Sequence, residues 1–223
     1  MLTMTLTNLR TTTLDERLTA VASLVSGSCV ADIGTDHALL PRYLLENGLA
    51  RRVIAVEKHE DPAQVARESL RGYEAEVRLG DGFEVLQPGE VDCATLSGLG
   101  GWLIVSLLCR SPERVPARLV LQANRDTPLL RIWAAQSGYH LIHEKMVPGY
   151  WNFVILALAK ADGPDPAYEG LPRELANEFG PHLLRERHPL LCQDVREREQ
   201  YFRGTRAISV HRMLCQARDV LGI

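Results

Sequence analysis

Short unbroken apolar runs alternate along this chain with stretches whose apolar positions recur every three or four residues. An unbroken run fits a strand buried on both faces, and the longer period fits a helix packed over it, so the alternation predicts a largely parallel sheet covered by helices. Strands are predicted at residues 29–33, 52–56, 76–79, 91–96 and 118–121, with helices at 38–46, 62–70, 102–109 and 127–135. Leu14, Leu18, Val21, Leu24 and Val25 add a helix ahead of the first strand, and Asp15 and Glu16 suit its first turn. The runs at 139–146 and 152–158 are joined by Pro148-Gly149-Tyr150-Trp151, which leaves no room for a helix. They predict a hairpin, so a seven-stranded sheet should end in an antiparallel strand.

Residues 1–13 are Thr-rich and aperiodic and read as a frayed terminus. Ala161-Asp162-Gly163-Pro164-Asp165-Pro166 reads as a linker, followed by helices at 174–179, 190–202 and 206–221 with Gly204 as the break. The expected organisation is an α/β domain over 1–160, a linker over 161–170 and a helical extension over 171–223.

Candidate chemistry gathers where the predicted strands end. Val30-Ala31-Asp32-Ile33-Gly34-Thr35-Asp36-His37-Ala38 runs from a strand through a glycine turn into a helix, the opening of a Rossmann-like nucleotide-binding unit. A pyrophosphate site would need G-x-G-x-x-G, but Asp36 stands where the second glycine belongs, and a carboxylate repels phosphate. S-adenosylmethionine, with no phosphate and with positive sulfonium and ammonium groups, suits such a turn. A helix-capping role for Asp36 stands beside the ligand role. Glu57 closes the second strand at nearly the ~20-residue distance from Gly34 expected of a ribose ligand. Asp81, between Gly80 and Gly82, can accept from an adenine amino group or simply form a turn. Ser97-Gly98-Leu99-Gly100-Gly101 implies a turn at which something approaches the backbone closely, and Gln122-Ala123-Asn124 ends the fifth strand on the same rim. Arg17 could reach a ligand from its helix, although a solvated arginine on the helix face is the simpler reading.

Composition narrows the classes. With 223 residues and a net charge of -3, the chain fits one α/β domain plus an appendage, and no overall basic excess announces nucleic acid. The tail is locally basic, nine arginines against six acids between Arg173 and Arg218, which suits either RNA contact or a solvated helical hairpin. No apolar stretch reaches a membrane span and no targeting segment is read, so a cytoplasmic protein that does not engage a membrane is expected. The five cysteines and seven histidines show no metal-binding spacing, and no metal is expected.

In order, D-I-G-T-D-H-A-x-L-P, G-D-G-F-E-V-L, S-G-L-G-G and L-Q-A-N resemble the motifs of the bacterial tRNA (adenine(22)-N1)-methyltransferases, with a weaker match at Gly180 to Leu183. Departures are Leu39 for the family's tyrosine, Asp61 for a glycine, S-G-L-G-G for A-G-M-G-G, and Ala123 for a proline. The resemblance implies a Rossmann-like class I methyltransferase fold, S-adenosyl-L-methionine as cofactor, tRNA as partner and action as a monomer. It implies cofactor contacts from Asp32, Gly34, Asp36 and His37, from Glu57, from Asp81 and Gly82, and from Ser97 and Gly98. Gly100, Gly101, Arg185 and Arg187 would then meet the substrate, with Asp36 and Asn124 catalytic. Two alternatives are a methyltransferase acting on a small molecule or protein, and a cofactor-binding RNA module without catalysis.

Overall fold

The computed structural model describes residues 12–203 and 207–223, so the break expected at Gly204 and most of the expected frayed terminus lie outside the described residues. Among the described residues the strands are β1 (Cys29–Ile33), β2 (Arg52–Glu57), β3 (Ala75–Leu79), β4 (Cys93–Gly100), β5 (Arg118–Arg125), β6 (Tyr139–Val147) and β7 (Phe153–Lys160). They form one sheet in the order β3-β2-β1-β4-β5-β7-β6. β1 to β5 are parallel, while β7 runs antiparallel to both β5 and β6, as the short hairpin requires.

Alternate residues of the sheet face opposite layers. On one face Val30, Val53, Cys93 and Val120 meet α1 (Glu16–Ala22) and α2 (Leu39–Glu46) through Val21, Ala22, Leu40 and Leu44. Against Ala55 and the apolar side of β3 lies α3 (Glu60–Ser69), through Ala66. On the other face Ala31, Leu96, Leu119 and Leu121 pack against α4 (Gly101–Arg110) and α5 (Thr127–Gln136), with Ile104, Leu108, Leu130 and Trp133 at the contact. The strand order reverses between β1 and β4, where a crevice opens beyond the C-terminal strand ends.

Several expected boundaries move. α3 begins two residues before Pro62, which the first helical turn tolerates because its N–H groups have no helical partner there. Asp36 does not cap α2. It adopts a left-handed conformation (φ 51°), as does Ala38 (φ 56°), and the helix starts only at Leu39 without a side-chain cap. The S-G-L-G-G stretch is not a turn. β4 continues through Gly100 with register shifts between Ser97 and Leu99 and again before Gly100, so the glycines accommodate a bulged strand end.

The tail contains α6 (Arg173–Phe179), α7 (Pro181–Arg185), α8 (Pro189–Phe202) and α9 (Ile208–Leu221), around a core that includes Leu175, Phe179, Leu183, Val195 and Leu214. The short α7 was not expected from sequence. The segment leading to the tail is tied to β6: the Asp165 carboxylate accepts from the Leu141 N–H at 2.8 Å, and Ala167 and Tyr168 are buried in the main core. Tail and sheet also share a buried ion pair. Arg131 on α5 meets Glu144 on β6 at 2.7 Å, with side chains 1% and 0% exposed. The same arginine donates to the carbonyls of Asn177 and Glu178 at the end of α6, and Glu144 accepts from the His182 N–H in α7. Gly180 (φ 92°) passes so close that a Cβ would sit 2.6 Å from Glu144 Oε2. Among the described residues, no helix is long and apolar enough to cross a membrane.

Candidate functional site

A cavity of about 740 Å³ occupies the crevice at the strand-order reversal. Three successive strands bring it a carboxylate each: Asp32 within β1, Glu57 at the end of β2, and Asp81 just beyond β3.

Asp32 is buried, and its Oδ1 accepts from the Thr95 hydroxyl at 2.5 Å. Burial raises its pKa above the usual carboxylate range, against the lowering effect of the Thr95 bond. The buried Thr35 hydroxyl lies beside the same carboxylate and also holds its pKa down.

The carboxylate of Glu57 organises the turn opposite. Its Oε1 accepts from the Lys58 and His59 N–H groups at 2.8 and 3.0 Å, and Oε2 accepts from the Asp36 N–H at 3.1 Å. A carboxylate offers about four acceptor sites, so one remains on Oε2 for a hydroxyl. Gly34 (φ 77°) and Thr35 both donate to the Val56 carbonyl, which folds the β1 turn onto the end of β2. The Asp36 carboxylate, largely exposed at the cavity wall, meets His37 Nδ1 at 2.8 Å.

Asp81 is held from one side. Arg110 at 2.8 Å and Lys58 at 3.2 Å both donate to Oδ2, leaving Oδ1 for a ligand. The Arg110 guanidinium, aided by Lys58, keeps the carboxylate below its ordinary pKa despite partial burial. Gly82 (φ 70°) follows, and a Cβ there would run into Leu107 at 2.7 Å.

The far wall rests on Gln122, which the sequence placed on the rim at the end of the fifth strand without giving it a role of its own. Gln122, fully buried, accepts at Oε1 from Arg17 and from the Gly98 N–H, each at 2.9 Å, and donates to Asn124 Oδ1 at 3.2 Å. Asn124 donates back to the Gly98 carbonyl at 2.7 Å. Arg17 is thus no solvated surface arginine: its side chain is 21% exposed and lines the cavity. The sequence signals for Gln122 were its place at the end of an apolar strand and its membership of L-Q-A-N.

The structure brings Asp32, Gly34, Asp36, His37, Glu57, Asp81, Gly82, Ser97 and Gly98 around this one cavity. Asn124 stands behind Gly98 at its edge. Gly101 is buried in helix packing, where a Cβ would lie 2.6 Å from the Asp126 carbonyl, and Gly100 leans on Arg125. Neither glycine lines the cavity. Arg185 and Arg187 are also absent from its wall: the Arg185 guanidinium is committed to the carbonyls of Ala167 and Glu169, and Arg187 lies beside Gly222. Among the described residues, no three His, Cys, Asp or Glu side chains are grouped to hold a metal ion.

Residues 14–153 match the family described as a methyltransferase domain, more than half of the chain. Fold, cavity and match together define a methyltransferase. A tRNA (adenine(22)-N(1))-methyltransferase of Bacillus subtilis is 32% identical over 214 residues, spanning 92% of this chain and 87% of that protein. The chain belongs to this tRNA methyltransferase family. The crystal structure of the B. subtilis m1A22 tRNA methyltransferase TrmK superposes with a TM-score of 0.82 at 28% identity, covering 95% of this chain and 98% of that one. Streptococcus pneumoniae Sp1610, described as a candidate tRNA (m1A22) methyltransferase and solved with S-adenosyl-L-methionine, gives a TM-score of 0.76 at 26% identity over 94% and 98% of the two chains.

Proposed function

We propose that this chain methylates N1 of adenosine 22 in tRNA, using S-adenosyl-L-methionine, in the cytoplasm. The observation that carries the reading is the set of three carboxylates with acceptor capacity in hand, delivered by consecutive strands to a cavity without a pyrophosphate cradle. The residues fit the cofactor: Oε2 of Glu57 for a ribose hydroxyl, Oδ1 of Asp81 for the adenine amino group, and buried Asp32 with Thr35 for the methionine end. When bound, S-adenosyl-L-methionine supplies an electrophilic methyl group.

Adenine N1 carries its own lone pair, so this chain need not remove a proton before transfer. It must align the base and stabilise the cation that the ring becomes. In this reading the Asp36 carboxylate stabilises that charge, while Asn124 and the Gly98 backbone, locked together by Gln122, hold the base extruded from the tRNA. The test is incubation with labelled cofactor and total tRNA, followed by mapping of the modified nucleoside. Label at N1 of adenosine 22 is expected, and an unlabelled tRNA pool overturns the reading.

Two predictions address the cofactor end. Glu57→Ala and Asp81→Ala should each weaken cofactor binding by about 1 to 2 kcal/mol, the scale of losing a hydrogen bond to a charged acceptor, as titration calorimetry will measure. Parent-like affinity in both variants would leave these carboxylates with only their turns to hold.

Asp32→Asn keeps an acceptor for Thr95 but removes a buried charge. Because the folded-state pKa is raised, the folded protein holds this proton more tightly than the unfolded chain does, and ionisation above the ordinary carboxylate range costs stability. The ligand-free variant should therefore melt above the parent at neutral pH, with the difference vanishing near pH ~4, and should bind cofactor less tightly. A lower melting temperature at neutral pH would contradict this account.

A further inference from the structure

The cavity wall is poor in rings. Among the described residues lining it, the imidazoles of His37 and His59 are the only ones. Yet bases drawn out of folded RNA lose their stacking partners, and proteins that hold unstacked bases replace them with aromatic faces.

Such faces lie just outside, in a connected series. Arg17, bonded to Gln122 at the wall, has its guanidinium carbon 5.8 Å from the centroid of the Phe153 ring. Phe153 lies 6.5 Å from Trp151, and Trp151 lies 5.1 Å from Tyr150. Exposure rises along the series, from partly buried Phe153 to Trp151 at 52% and Tyr150 at 94%. The sheet sets the location. Gln122 pairs with Ile155 across antiparallel β5 and β7, and continuing that register brings Phe153 level with Asn124, so the hairpin tip projects past the rim that carries the cavity. The tip is folded on its own rings: a Cβ on Gly149 would run into the Phe153 ring and lie 2.8 Å from the Trp151 carbonyl.

We propose that Phe153, Trp151 and Tyr150, starting from Arg17, form a stacking ladder for the nucleobases that flank the methylated adenosine. The inference rests on the RNA substrate proposed above. Rings that step outward from the wall suit consecutive bases of a strand rather than the single base inside the cavity. Their faces are sequence-tolerant, since every base has a π surface, so the ladder positions the RNA and leaves the choice of nucleotide to the cavity.

Steady-state kinetics with tRNA test this. Trp151→Ala should raise the KM for tRNA roughly 10-fold or more, the fold-change corresponding to loss of one base stack, with kcat and cofactor affinity within about twofold of the parent. Trp151→Phe, which keeps a ring, should recover most of the loss. A second measurement does not depend on turnover. Of the three tryptophans, Trp133 is buried, so in a Trp102→Phe background the exposed emission comes from Trp151. A short single-stranded RNA should quench it, and the same RNA should bind Trp151→Ala more weakly.

Failure of the functional reading shows as a parent that methylates no tRNA, and the quenching titration then decides the ladder by itself. An unchanged KM together with unquenched emission overturns the ladder. So does a parallel fall in melting temperature and cofactor affinity in Trp151→Ala, which would make the rings a prop for the site. Loss of self-association with unchanged tRNA kinetics also overturns it, and would assign the rings to a contact between copies.

Discussion

Asp36→Asn is expected to cut methyl transfer about 100-fold, the scale of removing one preorganised electrostatic contact, while the protein folds as the parent does. The fold should survive because of what the backbone requires at this position. Asp36 holds a left-handed conformation, and asparagine is among the few residues with a side chain that visit that region readily. Its N–H, not its side chain, makes the bond to Glu57, so the substitution leaves that link in place. What goes is the negative charge at the cavity wall beside His37 Nδ1. Single-turnover methylation of tRNA, measured beside cofactor binding on one preparation, separates the roles. Transfer falling far more than affinity marks Asp36 as stabilising charge on the base. A parallel fall in both makes it a cofactor ligand, and activity near the parent's moves the role to Asp32 or Asn124.

Arg131→Ala should destabilise the protein by about 3 to 5 kcal/mol, because it strands Glu144 at 0% exposure with its cation gone. The loss reaches further than one pair. The Asn177 and Glu178 carbonyls at the end of α6 lose their donor, and Gly180 loses one of the two side chains it passes against. Urea denaturation followed by circular dichroism measures the effect. The double variant Arg131→Met, Glu144→Met should recover part of it, since no unpaired charge then remains, although the backbone groups at α6 and α7 stay unsatisfied. A single variant within about 1 kcal/mol of the parent would show that water reaches the site and that the pair holds little together. Deletion of the tail from Pro172 onward exposes the same pair, so tail removal is a test of stability before it is a test of tRNA affinity.

What could be read from sequence followed physical range. Strands buried on both faces need unbroken apolar runs, which is why β1, β2 and β5 stood out, and the Gly34 to Glu57 spacing carried the site because one βαβ unit fixes that distance. Where the chain meets itself at long separation the sequence is silent. Nothing near Gln122 announces that its amide will join Arg17, Gly98 and Asn124, and nothing near Arg131 or Glu144 marks a buried pair rather than two surface charges. Glycine misled in a different way. A residue that tolerates many conformations can mark a turn or a bulge, and only pairing with β5 makes the stretch from Ser97 to Gly100 a strand. Asp36 was ambiguous for a related reason, since an acid shortly before a helix looks like a cap until its own φ is known.

The bond between Arg17 and Gln122 spans 105 residues. During synthesis α1 is made before β5, so its bond to Gln122 waits until β5 has emerged and paired with β4. Contacts of such separation form late, after the closure entropy of the intervening chain has been overcome. The carboxylates on β1, β2 and β3 can be in position while one wall is still missing. A chain stalled before β5 therefore carries the three carboxylates of the cavity without the wall that Gln122 completes.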